Sequence, residues 1–515
     1  MASRSFFSGF PVRALLAFAA GGLWGLTFGR LPLPWLAGVA LVPLVLLMHG
    51  RRSAWLGWIH GLGCWFAALP WIVPTLITFG GISRPLAIPL LGLLAAYLAL
   101  YTAAFAGFGA VILRRAPRSL ALFALPALWV ALEWIRTFLG SGFPWNLAAY
   151  AWTDWPGTLP ISAWIGAYGV SFLLVMTNVA IALVWLGWLQ TRASGHEFVP
   201  RKTLVFLLVP LVVELLLSVA YWSAPKSGGG GEEAPSVVLV QPNIPNYLEP
   251  DFEVIEQDYR GLLAMTEEVC APETLVIWPE SAGWPHIYAE SRRLRQDLAA
   301  LRARGGCSLI INSLHPTGES YFNSALLLTP GGAPPARYDK RHLVPFGEYV
   351  PWSGVFSFLD SLARNAGALE AAREVRLLPW SGERLGMAIC FEVVFPGEVA
   401  KLVQAGATSL VTVTNDAWYG DTAAPWQHLR AARFRAAETR RPMLRAAITG
   451  VSAVIAADGG VASSLGVGER GFLHTRLSGR SERTLYVRAP WAVPAACCLL
   501  ALVALFSKSR AASKP

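Results

Sequence analysis

Seven long apolar runs separated by short polar breaks fill the first part of the chain, near Val12 to Phe28, Leu33 to Met48, Ala54 to Phe79, Leu86 to Leu113, Leu120 to Phe138, Leu159 to Leu189 and Leu204 to Trp222. An eighth, Trp491 to Phe506, lies near the other end. Uninterrupted apolarity on this scale predicts membrane-spanning helices. The first run has Arg4 and Arg13 around its start and no small-residue cleavage site after it, so it reads as a retained helix rather than a removed leader.

Between the seventh and eighth runs the pattern changes. Lys226 to Pro235, with four consecutive glycines, is a flexible linker by composition. Beyond it, short β-branched runs predict strands at Ser236 to Gln241, Thr274 to Trp278, Ser308 to Asn312, Ala325 to Leu328, Leu385 to Cys390, Ser409 to Asn415 and Met443 to Ala456. Amphipathic stretches predict helices at Phe252 to Cys270, Ser291 to Ala303, Gly397 to Ala405 and Trp426 to Arg440. The chain therefore divides into seven spans over residues 1–225, one layered α/β domain over 226–488, and a last span with its tail over 489–515. No internal repeat is visible.

Composition agrees: 54% of residues are hydrophobic, 14% are charged and the mean hydropathy is +0.47, beyond the range of ordinary soluble proteins. The net charge of +10 raises nucleic acid as a partner, but the basic residues gather at span ends. Arg4, Arg13, Arg51, Arg52, Arg114, Arg115, Arg118, Arg192, Arg201, Lys202, Lys508, Arg510 and Lys514 fall on one side, and only Arg30, Arg84 and Arg136 on the other. Retention of positive loops in the cytoplasm puts both termini there and residues 226–488 outside, in the periplasm of a Gram-negative cell. The charge is then largely a topology signal, which counts against nucleic acid as a partner.

Polar and aromatic exceptions within the apolar part carry less information. The segment Ser141 to Tyr150 reads either as an interfacial aromatic belt or as a wall of a lipid entry. Glu133 and Glu214 are expected to face the bundle interior or an interface, since facing lipid would be costly. Cys64, Cys497 and Cys498 sit in apolar runs as small hydrophobes. Cys270 and Cys307 share the globular domain, and their pairing is left open. No cysteine and histidine pattern of metal-ligand type occurs, and nothing implies a cofactor or metal.

Chemistry concentrates in three places. Cys390 ends the apolar run from Leu385 and is followed by an acid and then Pro396-Gly397, a strand ending in a bend, where an α/β enzyme presents a nucleophile. A cysteine attacks carbonyls as thiolate, so it needs a base and a cation to lower its pKa. Glu280, in Trp278-Pro279-Glu280-Ser281, supplies a carboxylate at a strand end, where partial desolvation would raise its pKa toward that of a base. Lys340 lies in Tyr338 to Pro351, a stretch whose prolines and Gly347 constrain the backbone around Glu348. Alone, each has a bland reading: a capping glutamate, a solvated lysine, an inert buried thiol. Their joint occurrence changes that balance.

Glu in WPES, Lys in YDKRHLVPFGE and Cys in CFE resemble, in this order, the Glu-Lys-Cys triad of the nitrilase superfamily. With seven spans before the domain and one after it, the chain resembles that superfamily's membrane-embedded branch, the apolipoprotein N-acyltransferases. Val240 to Pro245, Thr414 to Gly420 and Gln427-His428 extend the resemblance over nearly the whole length. It implies eight transmembrane helices plus an α/β nitrilase-like αββα sandwich, a catalytic triad of Glu280, Lys340 and Cys390, and Glu348, Phe391, Glu392 and Trp418 around the nucleophile. Two departures bear on the substrate pocket: Pro250 where relatives often carry Trp, and Ile448 where many carry Asn.

The resemblance also implies a reaction. Glu280 takes the proton of Cys390, and the thiolate attacks the acyl ester of a membrane phospholipid. Lys340 and nearby backbone N–H groups stabilise the oxyanion. A lysophospholipid leaves, and the thioester passes its chain to the α-amino group of the diacylglyceryl-cysteine that begins an apolipoprotein. Membrane lipids are thus partners, and the expected location is the bacterial inner membrane with the catalytic domain on the periplasmic side. The aromatic stretch Pro351 to Leu359, with Trp352, Phe356 and Phe358, reads either as a mobile lid or as ordinary core and interface anchors. Two rivals stand beside this reading. A membrane-anchored amidase would keep the triad but use water. A transporter or receptor would only bind through its outer domain, which the scarcity of ionisable residues in the spans disfavours.

Overall fold

The computed structural model describes residues 9–50, 52–193, 201–223, 234–246, 251–349 and 369–507. Contacts divide the chain into a helical unit, Met1–Pro74 with Ile82–Pro225 and Ala489–Pro515, and a globular unit, Thr75–Gly81 with Lys226–Arg488.

Each apolar run of the helical unit forms a helix or a broken helix. Arg84–Arg115, Arg118–Arg136 and Thr158–Arg192 are long and apolar enough to cross a membrane. Ser53–Ala68 and Ile72–Thr78, bent by 58° at their junction, make a fourth span if counted as one. The other apolar helices, Phe10–Leu26, Pro34–Leu47, Leu204–Leu216 and Ala492–Phe506, are shorter. Hydropathy saw continuous runs because Pro70, Gly38 and Gly166 break helices without breaking apolarity; Gly166 stands at φ 66° inside Thr158–Ala193. Small residues bring the helices together. A Cβ on Gly21 or Gly25 would lie 1.9 and 2.3 Å from the carbonyl oxygens of His60 and Cys64, so only glycine admits that approach.

Glu133 is buried, and its carboxylate accepts the Ala148 amide at 2.7 Å. Glu214 is half-buried against Thr177. The bond to Ala148 ties down the aromatic segment, where Trp145, Leu147 and Tyr150 are buried in the helical unit. These side chains pack as core of the helical unit.

Among the described residues the globular unit holds twelve strands in two sheets. The first has the order β12-β1-β2-β3-β4-β5, from β1 (Ser236–Gln241), β2 (Thr274–Ile277), β3 (Ser308–Thr317), β4 (Ser320–Leu328), β5 (Ala336–Asp339) and β12 (Gly471–Arg476). The second runs β11-β10-β9-β8-β7-β6, from β6 (Leu377–Trp380), β7 (Glu383–Ile389), β8 (Ser409–Thr414), β9 (Met443–Ala447), β10 (Ser452–Ile455) and β11 (Val461–Leu465). In each, three central strands are parallel and the flanking pairs antiparallel. Parallel neighbours need crossovers, which the helices Phe252–Val269, Arg292–Gly305, Pro396–Gln404 and Ala424–Thr439 provide. The two halves of the domain thus repeat one topology that the sequence does not betray.

Local chemistry sets the helix ends. Asp251 and Ser291 cap their helices through bonds to Glu253 N at 2.9 Å and Leu294 N at 3.1 Å, and Gly306 closes the second with a left-handed residue. Tyr259, Leu262, Leu294, Leu298 and Leu301 from two helices pack onto Val276, Leu309 and Leu326 of the first sheet. Gln241, of the stretch singled out at the first strand, joins the sheets by accepting Ser452 N at 3.1 Å and donating to the Gly466 carbonyl at 2.7 Å. Ile448 belongs to the first sheet's apolar cluster, while Pro250 lies outside the described residues.

Candidate active site

Four strands end at one place. Glu280 follows β2, Lys340 follows β5, Cys390 follows β7 and Asn415 follows β8. In an α/β layer the carboxyl ends of parallel strands leave backbone groups and side chains facing a common crevice.

Glu280 and Lys340 meet there with Glu348. The Lys340 ammonium lies 2.8 Å from Glu348 Oε1 and 3.5 Å from Glu280 Oε1, and its side chain is 1% exposed. Asn323 on β4 donates through one amide nitrogen to both carboxylates, at 3.0 Å to Glu280 and 3.1 Å to Glu348. Glu280 Oε2 accepts the Asn415 amide at 2.9 Å, and Glu348 Oε2 closes its own loop by accepting Val344 N at 2.8 Å. Two carboxylates of like charge, Glu280 buried and Glu348 part-buried, are held by one ammonium, one amide and two backbone N–H groups. Burial opposes charge on Lys340, but Glu348 and Glu280 outweigh it and hold the ammonium well above the ordinary lysine range.

Cys390 opens a short 3-10 turn, Cys390–Val394, with φ 53°, a left-handed conformation unusual for a side-chain-bearing residue. Burial pushes its thiol above the ordinary range, and the charge of Glu280 adds to this; Lys340 pulls the other way without reversing it. Lys340 thus acts in the expected direction, but burial and Glu280 outweigh it.

Glu392 accepts Ile389 N at 2.7 Å, Arg341 N at 2.7 Å and the Tyr338 hydroxyl at 2.9 Å, binding the segment after β5 to the turn bearing Cys390. Burial raises its pKa to about 7, against the pull of these donors.

Comparison with known proteins bears on this arrangement and on the helices alike. Residues 20–180 match the family model of the apolipoprotein N-acyltransferase N-terminal domain, and residues 237–483 match that of carbon-nitrogen hydrolases. The apolipoprotein N-acyltransferase of Geobacter metallireducens is 32% identical, with 96% of each chain covered. That of Methylococcus capsulatus is 34% identical, with 87% of each chain covered. The chain belongs to the apolipoprotein N-acyltransferase family. Among solved structures, an amidase from Nesterenkonia is similar at 21% identity and a TM-score of 0.37, over 52% of this chain and 100% of that one.

In this family member the remaining expected residues fall in different settings. Phe391 is buried in an aromatic group with Phe395, at 5.1 Å between ring centroids, and His342. Trp418 lies in the turn Asp416–Tyr419, is 38% exposed and has its ring 4.7 Å from that of Phe79. The stretch Pro351 to Leu359 lies outside the described residues. Among the described residues no group of three or more His, Cys, Asp or Glu is arranged to hold a metal ion.

Sequence reasoning missed Asn323, which lies before the strand predicted at Ala325 to Leu328 but is buried on β4 in the structure. It also left Asp416 and His428 without roles. The structure further pairs Cys270 with Cys307 in a disulfide, the choice that the sequence left open.

Proposed function

We propose that this chain transfers an acyl chain from a membrane phospholipid, through a thioester on Cys390, to the α-amino group of the N-terminal diacylglyceryl-cysteine of apolipoproteins. Membership of the family across both units carries the reading: residues 20–180 match as well as 237–483. A hydrolase using water would need only the globular unit.

Glu280 is the base. Its carboxylate sits against Lys340 and Asn415 N, positioned to take the thiol proton as sulfur adds to the ester carbonyl. Lys340 meets the developing oxyanion, and Glu348 and Asn323 hold its ammonium in place. Collapse expels the lysophospholipid, which takes the proton from Glu280. The acceptor amine then attacks the thioester, Glu280 removes its proton, and an amide forms while Cys390 returns as a thiol. Burial of the site disfavours water and so favours transfer to the amine.

The helical unit has a physical reason under this reading. Drawing an acyl chain out of lipid costs about 0.8 kcal/mol per CH₂, so the chemistry belongs beside a bilayer. We read eight spans with both termini cytoplasmic, with residues 1–225 and 489–515 in the membrane region and 226–488 on the periplasmic side of the inner membrane. The Cys270–Cys307 disulfide supports an oxidising compartment.

The test is to incubate purified protein with acyl-labelled phospholipid, then add a diacylglyceryl-cysteine peptide. The expected result is a hydroxylamine-sensitive adduct, absent in Cys390→Ala, that moves to the peptide amine. An equal adduct in Cys390→Ala refutes the nucleophile. Release of free fatty acid with the peptide untouched makes the protein a hydrolase.

A further inference from the structure

The stretches Thr414-Asn415-Asp416 and Gln427-His428 meet behind the nucleophile rather than in front of it. His428, on the helix Ala424–Thr439, is fully buried, and its Nε2 lies 3.1 Å from the carbonyl oxygen of Cys390. Its Nδ1 lies 3.1 Å from Asp416 Oδ1 and 3.2 Å from Arg445 Nη2. Arg445 donates to Asp416 Oδ2 at 2.6 Å and to the Val451 carbonyl at 3.0 Å, and the Thr414 hydroxyl donates to Asp416 Oδ1 at 2.9 Å. Asp416 and Arg445 are buried as well.

A carbonyl oxygen only accepts, so Nε2 carries a proton toward Cys390. Nδ1 stands between the Asp416 carboxylate and the Arg445 guanidinium, so an ion pair braces the far side of the ring. Burial and the nearby Arg445 charge lower the pKa of His428. Even the backbone makes room: a Cβ on Gly450 would lie 2.4 Å from Asp416 Oδ2.

The bond to Cys390 matters because of where that residue sits. A left-handed non-glycine residue costs on the order of 1–3 kcal/mol and persists only where its surroundings hold it. On the amino side the chain is fixed by the Ile389 N–H bonded to Glu392 at 2.7 Å. On the carboxyl side His428 holds the Cys390 carbonyl. The peptide plane after Cys390 is thus tied down directly and the chain is anchored one peptide before it, which limits the directions the Cβ can take.

We infer that His428 is a positioning residue for acyl transfer, an Nε2–H donor braced by Asp416 and Arg445 that holds the nucleophile's backbone in its left-handed conformation. This rests on Cys390 being the nucleophile. A misplacement of about 1 Å costs on the order of 100-fold in rate, which sets the scale of the effect.

The experiment uses the full chain in detergent with phospholipid carrying tritiated acyl chains, and measures single-turnover labelling of Cys390 and the melting temperature in the same preparations. His428→Leu removes the donor and should slow labelling about 100-fold, with the phospholipid concentration at half-maximal rate little changed. His428→Gln, whose Nε2–H₂ reaches the same place, should recover most of the rate; His428→Asn, too short to reach, should not. Equal rates for the Gln and Asn variants, or a wild-type rate for the Leu variant, overturn the inference. If the Leu variant does not fold, the Gln and Asn pair decides alone. Labelling of wild type that persists in Cys390→Ala refutes the nucleophile assignment instead, so the two failures are told apart.

Discussion

Glu392 carries a carboxyl that titrates at about 7, within the range a cell envelope experiences. Its folded pKa lies above the ordinary value, so the native state binds its proton more tightly than the unfolded chain does. The resulting stability is fully present below the unfolded value and is lost as pH rises through about 7. Glu392→Gln should therefore flatten the dependence of urea-unfolding stability on pH between about 5 and 7.5; an unchanged slope would place that titration elsewhere. Residues of this kind were legible in sequence only where several unusual neighbours surrounded them. Glu280, Lys340, Glu348, Cys390 and Glu392 lie in stretches dense with Pro, Gly and aromatics, and those constraints drew attention. Asn323 and His428 depend on which strand lies opposite and which helix crosses behind, and a linear pattern holds neither fact.

Among elements, the buried parallel strands and their crossover helices were legible because their apolarity and caps are strong; β1 and the helix starting at Phe252 fall as expected. The flanking strands were less so, β4 being predicted only from Ala325 to Leu328. β5 and β6 have four residues each, and β11 is largely exposed, so periodicity had little to act on. Met443 to Ala456 reads as one strand because Ile448 and Val451 keep it apolar through the turn that separates β9 from β10. The disulfide joins the helix Phe252–Val269 to the start of β3 across 37 residues, and its loss should cost about 2–4 kcal/mol. Cys270→Ser with Cys307→Ser should lower the unfolding midpoint of the globular unit in the absence of reductant. A midpoint equal to that of wild type would mean that the bridge does not form in the protein as purified.

At the scale of the molecule, loop charge yields an orientation that hydropathy alone cannot. Alkaline phosphatase joined after Arg488 should be active in cells, and joined after Pro515 it should be inactive; the reverse pattern would invert the proposed topology. Helix number was less legible than helix position, since proline and glycine shorten or bend runs that remain uniformly apolar.

The doubled topology of the globular unit has a thermal consequence. Glu280, Lys340 and Asn323 come from one sheet, and Cys390, Asn415 and His428 from the other half. Ladders hold each sheet along its length, whereas polar ties such as those of Gln241 fasten one sheet to the other. Warming should loosen that seam before either ladder frays, so acyl transfer should fail some degrees below the temperature at which circular dichroism reports loss of β structure. Coincident curves would mean that seam and sheets melt as one cooperative unit.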